Sequence, residues 1–116
     1  FYEVIRRSFS GPLVLEARNT SWIAPEACKL MKEFRVSKVI ADPERCAGGP
    51  KYILSAGGVY YYRLHGRPEV YKSSYSARFL ELLADDISSK KNVWCVFDNT
   101  ALGQGAGNAL TIQKLF

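Results

Sequence analysis

The segment YYYRLHGRPEVYKSSYS, residues 60–76, places an arginine, the only histidine of the chain and a second arginine at the end of an aromatic run. Alternation along an extended strand puts Tyr61, Arg63 and His65 on one face and Tyr60, Tyr62 and Leu64 on the other, so the first face is too polar to be plain core. Gly66 lets the backbone turn sharply, and Pro68 holds Arg67 extended. An imidazole titrates near neutrality and can give or take a proton. Guanidinium forks match the oxygens of phosphate or carboxylate. Arg63, His65 and Arg67 together suggest an acid–base group among anion clamps. The plainer alternative is a hydrogen-bonded structural histidine beside two solvated arginines.

Three more apolar runs end in polar residues. LVLEAR, residues 13–18, ends in Glu16 and Arg18; VSKVIAD, 36–42, ends in Asp42; VWCVFDNT, 93–100, ends in Asp98 and Asn99. Glu16 and Asp42 are candidate catalytic carboxylates to complement His65, and Arg18 is a further anion clamp. Glu16 with Arg18 or Arg63 could equally form a structural ion-pair network. Trp22, Tyr71 and Tyr75 fall in or near the loops after these runs and offer stacking surfaces for bases, whereas Tyr60 and Tyr62 suit packing. LGQGAG, ahead of the last helix, could add backbone N–H donors for an anion, although it lacks both the dinucleotide fingerprint and the P-loop lysine. One histidine and scattered carboxylates form no metal set of their own, so no cofactor is evident and a divalent metal would need ligands from elsewhere.

These ends need elements to hold them. Each apolar β run is followed by a loop and a helix-like stretch. In WIAPEACKLMKEF the residues Ala27, Leu30, Met31 and Phe34 have helical spacing, and Pro25 suits a first turn. SYSARFLELLADDISS carries Phe79, Leu80, Leu82, Leu83 and Ile87 on one stripe, with Ser74 or Ser76 as cap. NALTIQKLF reads as a closing helix. Residues 36–42 read as one strand and PERCAGGPKYILSAGG as a loop. The opening FYEVIRRSFSGP reads as the last turns of a helix from a preceding unit, stopped by Gly11 and Pro12. Strands separated by helices predict an α/β fold with a parallel sheet, open or closed as a (β/α)8 barrel, and both bind ligands at the carboxyl ends of strands.

At 116 residues the chain fits one region, 1–116, of domain size. Sixteen basic against eleven acidic residues give +5, spread rather than clustered, which permits anionic partners without demanding them. There is no apolar run long enough for a membrane span and no leader-like start, so a cytoplasmic protein without a membrane partner is expected. Cys28, Cys46 and Cys95 form no CxxC or finger pattern and read as reduced thiols, with loop-borne Cys46 alone suited to react.

LVLEARNTSW, VIADP, YYYRLHGR, YSARFLELL and VWCVFDNT with GNAL resemble, in order and spacing, the later half of the YecE-like family of proteins of unknown function. The resemblance covers nearly the whole chain and rests on Glu16, Arg18, Ser21 and Trp22, on Asp42 and Pro43, on Arg63, His65 and Gly66, and on Phe97, Asn99, Asn108 and Ala109. Asp98 stands where many relatives would carry asparagine. The resemblance implies about four βα units, strands five to eight of a (β/α)8 TIM barrel, in a chain expected to be a fragment of a longer protein or one half of a dimer. Its partner would be the missing first half or a second copy. It implies that Glu16, Arg18, Asp42, Arg63, His65, Asn99 and Asn108 line the carboxyl end, and it brings no established reaction. The expected function is binding of a phosphate-bearing small molecule or nucleic acid, with phosphodiester hydrolysis as the catalytic version. A non-catalytic binding module or an inactive half-barrel is the alternative.

Overall fold

A computed structural model describes residues 1–116. The chain divides into two compact units, Phe1–Ile40 with Glu44–Tyr61, and Ala41–Pro43 with Tyr62–Phe116. Five short strands lie in two sheets, β1 (Leu13–Leu15) with β2 (Val36–Lys38), and β3 (Ile40–Asp42), β4 (Tyr60–Leu64) and β5 (Val93–Phe97) in that order.

In the first unit β1 and β2 are parallel, with Leu13 opposite Val36 and Leu15 opposite Lys38. The stretch 36–42, expected as one strand, is two. Val39 still donates to the Leu15 carbonyl at 2.8 Å, and from Ile40 the chain joins the other sheet. Helix α2 (Pro25–Glu33) buries Cys28 and Met31, which with Val36 and Ile53 form the core of this unit; Leu30, expected inside, faces solvent. The expected loop after β3 contains a 3-10 turn, Lys51–Leu54, because Ile53 is fully buried from it.

Helix α1 (Tyr2–Ser8) is tied into this unit. Tyr2 packs on the core. Arg6 gathers the carbonyls of Phe34, Gly11 and Arg35, each at 2.7 Å, and of Phe9 at 3.2 Å, so one guanidinium supplies donors to the chain leaving α1 and to the chain leaving α2.

In the second unit, backbone bonds from His65 to the Asp42 carbonyl (2.8 Å) and from Asp98 to the Leu64 carbonyl (2.7 Å) bring the carboxyl ends of β3, β4 and β5 side by side. Helix α3 (Ala77–Ser88) starts where the Ser76 hydroxyl accepts the Phe79 N–H at 3.2 Å, and it buries Leu80, Leu83 and Ala84 while Leu82 is exposed. Tyr62 donates to Asp86 of α3, so the even-numbered face of β4 is the helix-covered face. Helix α4 (Gln104–Gln113) begins inside the glycine-rich stretch, earlier than expected, and packs on α3 and β5. No helix is long and apolar enough to cross a membrane.

All three thiols are free. Cys46, the expected reactive one, is fully buried with its sulfur 3.3 Å from the Asn19 carbonyl, which closes it to reagents. Burial pushes the Cys95 thiol up to about 11.

Gly57 is enclosed by main chain in the first unit. A Cβ there would lie 2.9 Å from the Leu13 and Arg35 carbonyls and 3.1 Å from the Ser37 nitrogen, all main-chain atoms. Gly57→Ala is therefore expected to destabilise the chain by roughly 1–3 kcal/mol, read as a lower midpoint in urea unfolding, while the exposed glycine variant Gly107→Ala, with open space around it, shows no such loss.

Candidate functional site

The parallel strand ends of the second unit place Asp42, Arg63, His65 and Asp98 in adjacent rows, with Arg67 one turn beyond β4. Along β5 the ring of Phe97 meets Tyr75 on the helix side, so by alternation Asp98 lies on the opposite face, with Arg63 and His65. There Asp98 Oδ2 is shared, 3.0 Å from Arg63 Nη2 and 2.9 Å from His65 Nδ1. A carboxylate only accepts, so Nδ1 carries the proton in this contact and Nε2 is the nitrogen through which neutral His65 would accept one. His65 is 6% exposed, so its surroundings, more than water, decide its geometry.

Arg67 pairs with Asp42, Nη2 to Oδ1 at 3.0 Å, and lies over the Phe79 ring at 5.5 Å, which in turn stacks on Tyr75 at 4.4 Å. Oδ2 of Asp42 is buried without a hydrogen-bond partner. Arg67 is 54% exposed and Arg63 is partly exposed, so both cations reach the surface beside the buried imidazole. Guanidinium groups are donors suited to anions and an imidazole can carry a proton, which is the chemistry these side chains offer.

The connection from β4 to α3 carries these groups. Gly66 has φ +100°, and a Cβ there would sit 3.0 Å from the Ser73 carbonyl and 3.1 Å from Asn99 Cβ. Its N–H donates to the Tyr75 hydroxyl at 2.8 Å, and that hydroxyl donates to the Asp42 carbonyl at 3.0 Å. Asn99 donates to the Ser73 carbonyl and to Asn108 Oδ1, at 2.9 and 2.8 Å; Asn108 also accepts from the Tyr75 N–H and donates to Ser74 Oγ.

Of the residues expected at the site, Asp42, Arg63, His65, Arg67, Tyr75, Asn99 and Asn108 belong to the second unit, and Glu16, Arg18 and Trp22 to the first. Tyr75, Asn99 and Asn108 were expected to touch ligand; they are buried, and the bonds just described run to the protein's own loop, so what their geometry displays is support of that loop. Within the first unit Arg18 lies 3.7 Å from Glu16, and Trp22 meets the Tyr2 ring edge-on. Asp98 was noticed only as a strand end; the alternation that singled out Arg63 and His65 would have marked it too. Lys38 was missed entirely. Its side chain is 3% exposed and pairs with Glu44 at 3.0 Å, and its only signal was a lysine within a valine-rich run.

Burial holds the Tyr75 phenol well above its usual 10, the Gly66 hydrogen bond opposing and Asp42 adding to the rise. A folded-state value above the unfolded one means that this contribution is complete below about pH 10 and is lost as pH climbs past it. Tyr75→Phe, which takes the hydroxyl from the Gly66 N–H and leaves the Asp42 carbonyl with the His65 N–H alone, should cost roughly 1–3 kcal/mol at pH 7, and the gap to wild type should narrow above about pH 10 in urea titrations at each pH.

No curated protein matches the chain. Solved structures do. A DUF72 family protein from Thermotoga maritima MSB8 is 27% identical with a TM-score of 0.77 over 97% of this chain and 49% of its own. Two structures of a DUF72 family protein from Enterococcus faecalis V583 are 26% and 27% identical with TM-scores of 0.73 and 0.71, over 97% of this chain and 50% and 52% of theirs. The chain thus spans about half the length of these relatives. The family model for the protein of unknown function DUF72 matches residues 2–116, and the chain accordingly belongs to the DUF72 family.

Proposed function

We propose that the carboxyl end of β3, β4 and β5 binds a phosphate-bearing ligand, with Arg63 and Arg67 as anion clamps and His65 exchanging a proton with it. The observation that carries this reading is the single Asp98 oxygen held by both Arg63 and His65, at 3.0 and 2.9 Å. It fixes the imidazole by one nitrogen and sets a permanent cation beside it, the pairing that proton transfer to an anionic oxygen needs. Asp42 keeps Arg67 compensated until a ligand arrives.

In the catalytic version His65 takes a proton from water attacking a phosphate ester, or gives one to the leaving oxygen, so the reaction is phosphodiester hydrolysis. Within the whole protein, this chain would provide strands five to eight of a (β/α)8 barrel, and the residues of the first half, or of a second copy, would complete the mouth. Three reduced thiols suit a cytoplasmic setting.

Thermal melts of the chain with inorganic phosphate, nucleotides and short DNA test the reading. A phosphate-bearing ligand is expected to raise Tm, and Arg63→Ala or Arg67→Ala to weaken its binding roughly 10- to 100-fold, the loss of one charge-assisted bond. His65→Ala should retain the shift while abolishing release of product from a phosphodiester. A folded chain whose Tm no phosphate compound moves would overturn the proposal, and a shift without turnover would leave a binding module.

A further inference from the structure

Lys38, the last residue of β2, is a cation shut inside the first unit, 3% exposed. An ammonium has three N–H donors, and its partner in the chain is one carboxylate oxygen, Glu44 Oε2 at 3.0 Å. Taking so strongly hydrated a group out of water with a single acceptor is costly. Glu44 stands on residues 44–49, the stretch by which the chain returns to the first unit after Pro43. Its other oxygen accepts the Cys46 N–H at 2.9 Å. A second tie runs from Cys46 Sγ to the Asn19 carbonyl at 3.3 Å, and a thiol is a weak donor. Beyond them come Gly48 and Gly49, at φ +104° and +85°, where a Cβ on either would stand 3.3 Å from the Ile23 side chain.

One carboxylate thus makes the strong bonds of this stretch, and the two glycines behind it let the backbone pivot. A segment held by few bonds opens at a lower free energy than the unit it lies on. Opening also returns the ammonium to water, which recovers part of the cost of burying it. We propose that residues 44–49 are a hinged strap latched by Glu44, and that the strap opens by itself to present the Lys38 ammonium at the carboxyl end of β2, the end at which parallel sheets take their ligands.

Cys46 rides on the strap and Cys28 lies in the core of the same unit, both buried, so the two thiols report the opening of the strap and of the unit separately. Iodoacetamide labelling of the whole chain, with each site read by mass spectrometry of its peptide, is expected to modify Cys46 faster than Cys28, and low urea should accelerate Cys28 alone. Glu44→Gln leaves the buried ammonium without its counter-charge and should speed Cys46 about 10- to 100-fold with Cys28 unchanged. Adding Lys38→Met, which removes the charge that Glu44 answers, should bring Cys46 back to the wild-type rate. A common rate for the two thiols at every urea concentration would overturn the proposal. So would a Glu44→Gln variant that speeds both thiols equally, leaves Cys46 unchanged, or is not restored by Lys38→Met.

Discussion

The hydroxyl of Tyr75 sits between two main-chain groups that no secondary structure joins, the Gly66 N–H and the Asp42 carbonyl. One phenol thereby ties the start of the β4–α3 connection to the end of a neighbouring strand. The two asparagines continue the tie, Asn99 to the Ser73 carbonyl and Asn108 to the Tyr75 backbone and Ser74. Buried polar groups tolerate few arrangements, because any other leaves a donor or acceptor unmet in a dry interior. These bonds hold the connection, and with it Arg67, Tyr71 and the exit from His65, while Asn99 Oδ1 is itself buried without a hydrogen-bond partner. Packing alone, without direction, would not fix them so closely.

On that base the charges are laid out in pairs across strand ends. Asp98 answers Arg63 and His65 with one oxygen, and Asp42 answers Arg67 with one oxygen while its other is buried. A carboxylate with an unused buried oxygen is costlier than one fully bonded, which makes Asp42 the less settled of the two. The cations also lean on apolar surface: Arg67 lies over Phe79, whose ring stacks on Tyr75. The phenol that orders the backbone therefore also supports, by its ring, the platform under an arginine.

The period-two pattern around Arg63 and His65 made the strand and its polar face readable from residue order alone, and Ser76 ahead of a regular apolar stripe made α3 equally plain. Hydrogen-bond partnership is what remained hidden. Val39 and Ile40 are both β-branched and continue one run, yet the ladder changes partners between them, and nothing local in valine and isoleucine records that. Polarity at a strand end likewise does not say where the polar atom is spent. Tyr75, Asn99 and Asn108 looked like ligand groups because amides and phenols suit ligands, but they suit loop carbonyls equally well. The role of Asp98 and the burial of Lys38 depend on neighbours at distant positions, which composition and spacing do not specify. Tyr71 was marked as a loop aromatic, but its left-handed backbone carried no signal, since tyrosine gives no hint of one.

Asp42 belongs to the second unit by structure and to the middle of the first by sequence, because residues 44–61 leave for the first unit before the chain returns at Tyr62. A contiguous stretch 62–116 would lack both the partner of Arg67 and the carbonyl that receives the Tyr75 hydroxyl. The links that shape the site join residues some 25 to 35 positions apart, so each closes a long loop before it yields any stabilisation. The charge pairs of the candidate site are therefore absent from any form in which the helices alone have condensed, and a nascent chain cannot complete them before Asp98 has been synthesised.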